Sequence, residues 1–385
     1  MIVQKYGGSS VASIEKIEAI AQNIKQTVKE KLIVVVSAMG KTTNNLISLA
    51  QSIQKEPNKR ELDHLLSTGE QQSASLMAMA LQKVGVDAIS LNGIEAGIKT
   101  TKTHGKALIK SINTKKLFSL LQKHDCLVIT GFQGCTHDGT ITTLGRGGSD
   151  TTATAIASAM NAKCEIYTDV EAIYSVNPAR HKNAKKLNEL SFNTVLEMAS
   201  AGAKVLDERA IEVAKKYGTK IYLGKTLCND HSKGTYVMDK NFMEQVEVKN
   251  ISVRENVCLM KLETQKISQV IFVLQKLNQN LEMLTINEDI ISFICKKEHQ
   301  KTIENALKDI QNLKVEKILE EISRITLVGY GFATHPQIVC DMLTKMECKK
   351  IDILHLVQTE TTLSFLVKKE KEKETIKTLV SLYKL

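Results

Sequence analysis

Leu32-Ile33-Val34-Val35-Val36 has no polar face. Side chains alternate sides along a strand, so five apolar residues in a row need cover from above and below, as in the middle of a parallel sheet. The surrounding sequence supplies partners for such a strand. Ile2 to Tyr6, Leu127 to Thr130 and Glu165 to Thr168 read as further strands. Between them Ile14, Ile17, Ala21, Ile24 and Val28 recur at helical spacing, and Gln71 to Gln82 and Asp150 to Ala159 read as helices. This alternation over residues 1–235 implies βαβ crossovers and an α/β class, a largely parallel sheet covered by helices on both faces.

The pattern changes near Val237 to Glu247, beyond which glycine nearly vanishes until Gly329 and Gly331. Two similar α+β units follow. Asn256 to Leu262, Ser268 to Asn278 and Ile290 to Cys295 read as strand, helix and strand; Arg324 to Val328, Gln337 to Met346 and Thr362 to Val367 repeat the order. Modules of about 65–70 residues are marginal alone and are expected to pair, with strands free to swap between them. The expected domains are 1–240, 245–315 and 316–385.

Composition excludes several classes. The longest aliphatic run, Leu32 to Val36, falls far short of the roughly 20 residues that cross a bilayer, so no membrane partner is expected. Lys and Arg total 52 against 42 Asp and Glu, a net +10, yet only six of the cations are Arg and Trp is absent. That is a solvated basic surface with some attraction for anionic substrates, not a stacking platform for nucleic acid. Eight cysteines without a CxxC pair suit neither a zinc site nor a disulfide framework. Reduced thiols follow, and with no apolar signal core behind Met1 a cytoplasmic location is expected.

Two glycine loops mimic nucleotide motifs. Gly40-Lys41-Thr42 lacks the earlier glycine of a P-loop, since that position is Val35, inside the strand. Gly329-Tyr330-Gly331 has Thr334 where a dinucleotide fingerprint needs its third glycine. Two other loops carry more chemistry. In Lys5-Tyr6-Gly7-Gly8-Ser9-Ser10-Val11, glycines without Cβ atoms turn backbone N–H groups toward an anion beside a mobile cation. In Thr142 to Thr152, Gly145, Gly147 and Gly148 surround Arg146, whose planar fork suits a carboxylate or phosphate, and Ser149-Asp150-Thr151-Thr152 is expected to cap the following helix.

Taken in order, these segments resemble the aspartokinases of the amino-acid kinase superfamily. Lys5 to Val11, Val36-Ser37-Ala38-Met39-Gly40-Lys41-Thr42-Thr43, Ser67-Thr68-Gly69-Glu70-Gln71, Gly131-Phe132-Gln133-Gly134, Thr143 to Thr152, Cys164 to Val170 and Gly202-Ala203-Lys204-Val205-Leu206 carry the likeness over about 230 residues. The final third is similar to the tandem ACT (ferredoxin-like) modules of that family, clearly in the second module and weakly in the first. The resemblance implies transfer of the γ-phosphoryl of ATP, with Mg²⁺, onto the side-chain carboxylate of L-aspartate, and a homodimer formed through the ACT-like modules. It places Lys5 and Asp150 as the catalytic pair. Thr43, Glu70, Arg146, Gly147, Gly148 and Ser149 would bind aspartate, and Gly7, Gly8, Ser9, Ser37, Thr168, Asp169, Tyr174 and Lys204, with Lys5, the nucleotide.

The chain departs from the family at several points. After Tyr174 the family's Thr-Ala-Asp-Pro-Arg is Ser175-Val176-Asn177-Pro178-Ala179, with Arg180 one place late, and the usual His-Pro-Arg after Leu206 is Asp207-Glu208-Arg209. In the first ACT-like module Glu263-Thr264-Gln265-Lys266 replaces an Asp-x-Pro-Gly loop, so inhibition by lysine or threonine is expected to be weak, absent or altered. Two rivals share the features: another amino-acid kinase, and a catalytically weak or dead amino-acid sensor with the same fold.

Overall fold

The computed structural model describes residues 1–203, 205–239, 247–277 and 282–385. Contacts divide the chain into two compact units: Met1–Ile173, Lys186–Ala199 and Lys204–Asn241 form the first, and Tyr174–Lys185, Ser200–Ala203 and Phe242–Leu385 the second.

In the first unit the chain runs β1 (Ile2–Tyr6), α1 (Ile14–Thr27), β2 (Leu32–Val36), α2 (Thr42–Ile53), α3 (Lys59–Lys83), β3 (Ala88–Leu91), β4 (Cys126–Thr130), β5 (Ile141–Thr143), α4 (Gly148–Met160), β6 (Lys163–Thr168), α5 (Glu208–Tyr217) and β7 (Ile221–Lys225). Six strands pair in parallel in the order β7-β6-β1-β2-β4-β3, extended past β7 by the short strands Thr235–Val237 and Glu189–Leu190. Strand β5 belongs to a separate four-stranded sheet. All five residues of β2 are buried, as their sequence requires. Helix α1 turns Ile17, Ile20, Ala21 and Ile24 into the core; Ile14, expected on that face, begins the helix and is 46% exposed, and Ile20 takes the inward place. Parallel strands all point one way, so the loops after β1, β2, β4 and β6 gather at one edge of the sheet, where ligands of such folds bind.

The second unit holds β8 (Glu247–Glu263), α6 (Ile267–Lys276), β9 (Glu282–Asn287), β10 (Ile290–Lys296), α7 (Gln300–Leu307), β11 (Lys314–Tyr330), α8 (Gln337–Cys348), β12 (His355–Gln358), β13 (Thr362–Lys368) and α9 (Glu372–Tyr383). The helix expected to run to Asn278 is α6; its last expected residue lies outside the described ones. The two repeats join into a single six-stranded sheet in the order β9-β10-β8-β11-β13-β12. Its spine is the antiparallel pair β8 and β11, each 17 residues long and each longer than the sequence pattern suggested. Gly329, half of the false dinucleotide motif, sits inside β11, where a Cβ would lie 2.1 Å from Glu247 O; its role is close strand pairing. All eight cysteines carry free thiols.

Candidate active site

The loops after β1 and β2 touch. A Cβ on Gly8 would sit 2.8 Å from Ala38 O, and Gly40 N donates to Gly8 O at 3.0 Å. Glycine at position 8 is therefore a condition of that approach. Gly40-Lys41-Thr42 serves this junction and the start of α2, not a P-loop. At the end of β1 the buried Lys5 lies 2.6 Å from Asp150 Oδ1, an ion pair whose angles fall outside those of a hydrogen bond. Gly7 lies against that ammonium: its Cβ would be 3.4 Å from Lys5 Nζ.

Helix α3 starts twelve residues earlier than the sequence suggested, at Lys59, because Asn58 caps it by accepting from Arg60 N and Glu61 N. Ser67-Thr68-Gly69-Glu70 is thus mid-helix. Gly69 lets α3 reach the loop after β2, since a Cβ there would be 3.0 Å from the Ala38 Cβ. That approach brings Glu70 into the interior, 3% exposed, where its Oε1 accepts from Ala38 N at 3.1 Å and its Oε2 has no partner among the described residues. Burial pushes the Glu70 carboxyl up to about 7, against a smaller opposing effect of the Ala38 N–H.

The glycine–arginine loop leads into α4. Gly145 and Gly147 hold φ of 83° and 70°, and a Cβ on Gly147 would meet Asp207 Oδ2 at 2.0 Å. The expected cap of Ser149, Asp150, Thr151 and Thr152 is corrected: α4 begins at Gly148 with no side-chain cap, so all four lie in its first turns. Thr152 Oγ1 instead donates back to Gly148 O at 2.8 Å, and the helix start faces the cavity without a capping side chain. Gly131 makes room for Ser149, whose Oγ would be 2.6 Å from a Cβ there. Arg146 is exposed, and among the described residues no side chain pairs with it.

These elements enclose a cavity of about 270 Å³ lined by Lys5, Gly8, Ser37, Thr43, Glu70, Arg146, Gly147, Gly148, Ser149 and Asp150, together with Ala38, Gly40, Phe132 and Gly145. It joins two cations, two carboxylates and a helix N-terminus, an arrangement suited to holding a small zwitterion beside a polyanion. Gly7 and Ser9 adjoin it without lining it; Ser9 is exposed and its carbonyl accepts from Lys16 Nζ. Thr168 ends β6 and Asp169 follows it at the same sheet edge, outside the cavity, and the Thr168 hydroxyl accepts from Val170 N. Tyr174 falls in the second unit, and Lys204 lies outside the described residues. A larger hollow of about 550 Å³, lined by Ile24, Lys25, Lys31 and Cys126 among others, contains none of the expected site residues.

Phe132, in the Gly131–Gly134 segment, has no role assigned by its sequence yet lines the cavity; its backbone holds a φ of 67°, the left-handed region that disfavours a bulky side chain. Its pattern carried no signal beyond the flanking glycines. The late Arg180 pairs with Glu255 at 2.6 Å and with Glu372, all within the second unit. Among the described residues no three metal-ligating side chains gather, and no helix is long and apolar enough to cross a membrane.

Fold and cavity together define an amino-acid kinase, an ATP-dependent phosphotransferase, and residues 1–225 match the Amino acid kinase family. The chain is 39% identical to Aspartokinase 2 of Bacillus subtilis (strain 168), covering 100% of this chain and 97% of that protein. It is 36% identical to an aspartokinase of Geobacillus stearothermophilus, over 95% of this chain and 93% of that one. The solved structure of E. coli aspartokinase III in complex with aspartate and ADP (R-state) has a similar fold, with a TM-score of 0.83 and 22% identity over the full length of both chains. The chain belongs to the aspartokinase family.

Proposed function

We propose that the protein moves the γ-phosphoryl of ATP onto the side-chain carboxylate of L-aspartate, giving 4-phospho-L-aspartate, the opening step of the diaminopimelate route to lysine, threonine and methionine. One observation carries the reading: the Lys5–Asp150 pair, the unpaired Arg146 and the half-satisfied Glu70 all face a single small cavity.

An aspartate carboxylate is already ionised near neutral pH, so the reaction needs no strong base. The difficulty is bringing two anions together and stabilising charge on the transferring group. Lys5, steadied by Asp150, neutralises that charge, and Gly8, Ser9 and Ser37 supply donors around the phosphates; Gly7 N already donates to Tyr167 O at 3.3 Å, so Gly7 contributes room beside the ammonium. Arg146 grips the α-carboxylate through its planar fork, with Gly147, Gly148 and Ser149 at the helix start. The partnerless Glu70 Oε2 receives the α-ammonium, and Thr43 binds the same substrate. Roles for Thr168, Asp169, Tyr174 and Lys204 at the nucleotide rest on the sequence resemblance.

The donor set suits Mg²⁺ carried by ATP: Asp150 is already paired with Lys5 and the cavity offers no carboxylate cage, and Mg²⁺ keeps waters and phosphate oxygens in preference to a full protein shell. The ion would neutralise the phosphate oxygens as they take on charge. The second unit is assigned to dimer pairing through ACT-like modules and to a weakened response to lysine or threonine. In the loop that replaces Asp-x-Pro-Gly, Thr264 N donates to Asp289 O at 2.7 Å and Lys266 N to Thr264 Oγ1 at 3.0 Å, so those donors are already engaged.

The test is an ATP-dependent hydroxamate assay with L-aspartate, L-glutamate and N-acetylglutamate in parallel. Acyl phosphate with aspartate alone is the expected result. No product with any of the three, from folded protein with Mg²⁺ present, would replace this reading with the amino-acid sensor.

A further inference from the structure

Arg146 has no side-chain partner among the described residues, yet it must be aimed. What holds its loop lies behind it. Asp63, on α3 two turns before Glu70 and on the same face, is 1% exposed. Its carboxylate accepts from Thr143 Oγ1, from His104 Nδ1 at 2.7 Å, and from Gly105 N at 3.0 and 3.2 Å. Thr143 ends β5, three residues before Arg146. The 104–107 segment forms the other side of the support: Ala107 N donates to Thr143 O at 2.9 Å, and a Cβ on Gly145 would lie 2.8 Å from Gly105 O. Arg209 adds to the support, donating to Leu144 O at 2.5 Å and to Ala107 O at 2.9 Å.

We infer that Asp63 is a positioning residue for the substrate-binding arginine: by tying β5 and the 104–107 segment to the helix that carries Glu70, it fixes the distance between the two groups that grip the α-carboxylate and the α-ammonium of the amino-acid substrate. A buried carboxylate that binds only donors is exacting. Asparagine in its place keeps one acceptor oxygen but gives up the charge and turns an NH₂ toward one of these partners, which loosens the tie between helix and loop. Helix α3 then sets both Glu70 directly and Arg146 at one remove. This assignment rests on the proposed recognition of aspartate by Arg146, and binding, not turnover, separates the two claims.

The experiment measures L-aspartate affinity by calorimetry in the presence of Mg-ADP for the wild type, Asp63→Asn, Arg146→Ala and the double variant. Asp63→Asn is expected to weaken aspartate binding about tenfold, the order of one buried charge-assisted hydrogen bond, with ADP affinity unchanged. In the Arg146→Ala background the same change is expected to add less than about twofold, because its effect passes through a side chain no longer present. Effects that multiply instead, or an equal loss of ADP affinity, would overturn the positioning role. If Asp63→Asn does not fold, His104→Ala, which removes one of the same bonds from the more exposed side, is expected to give a smaller loss with the same non-additivity, and additive losses would overturn the inference. A wild type that binds no aspartate would refute the substrate assignment itself.

Discussion

Glu70→Gln tests the site through stability and recognition at once. Burial holds the Glu70 carboxyl at about 7 against an ordinary 4.5. At about 1.4 kcal/mol per pH unit, keeping the group charged costs the empty protein about 3 kcal/mol. The sign follows from proton linkage. Between pH 4.5 and about 7 the native state holds a proton that the unfolded chain has released, so wild-type stability falls as pH rises through that window. Glutamine keeps an acceptor for Ala38 N–H and removes the slope. The variant is therefore expected to match the wild type near pH 4.5 and to exceed it by up to about 3 kcal/mol at pH 8, roughly 6–12 °C in the melting of the first unit. Its aspartate KM is expected to rise about 10- to 100-fold, with ATP KM unchanged, because a neutral amide replaces the carboxylate opposite the ammonium. Thermal melts at pH 5 and pH 8 without ligand, paired with hydroxamate kinetics, measure both effects. Parallel pH profiles for the two proteins, or an unchanged aspartate KM, would refute the reasoning.

Arg146→Ala should raise aspartate KM by about 100-fold with no change in melting temperature, since the side chain is exposed and unpaired, whereas Lys5→Ala should lower kcat by at least about 100-fold; near-normal turnover of the lysine variant in a saturating assay would sink its role. Gly8→Ala is expected to cost both folding stability and turnover, because the new Cβ meets Ala38 O at 2.8 Å, and full activity would show that the two loops are free to separate. Arg180→Ala should leave ATP KM unchanged while lowering the stability of the second unit, where it pairs with Glu255 and Glu372; a raised ATP KM would return this arginine to the nucleotide. Calorimetry with lysine and with threonine should show weak binding or none, and a micromolar dissociation constant for either would contradict the account of the Glu263–Lys266 loop.

Periodicity alone dictated much of the architecture. The apolar β2, the α1 stripe and the two-fold repeat after residue 247 are local patterns, and local patterns report which way side chains face. Motif chemistry likewise made Lys5 and Arg146 legible as candidates, because glycines beside a cation are visible in one dimension, whereas Asp150 read on its own as a helix cap and joined Lys5 only through the family resemblance. What the sequence left undecided were quantities fixed by contacts between distant residues. Gly69 reads as a poor helix residue until the Ala38 Cβ is seen 3.0 Å from where its own would be, and the early start of α3 at Lys59 followed a cap that no apolar period announced. Asp63 carries no motif; only folding brings it to Thr143, 80 residues away, and to His104, 41 residues away. Burial is also a tertiary quantity, so the raised Glu70 carboxyl and its partnerless oxygen had no signature in the chain. Sequence determined which chemical groups this protein owns and the elements that carry them; the tertiary structure decided which are desolvated and aimed, because both depend on what the rest of the chain places around them.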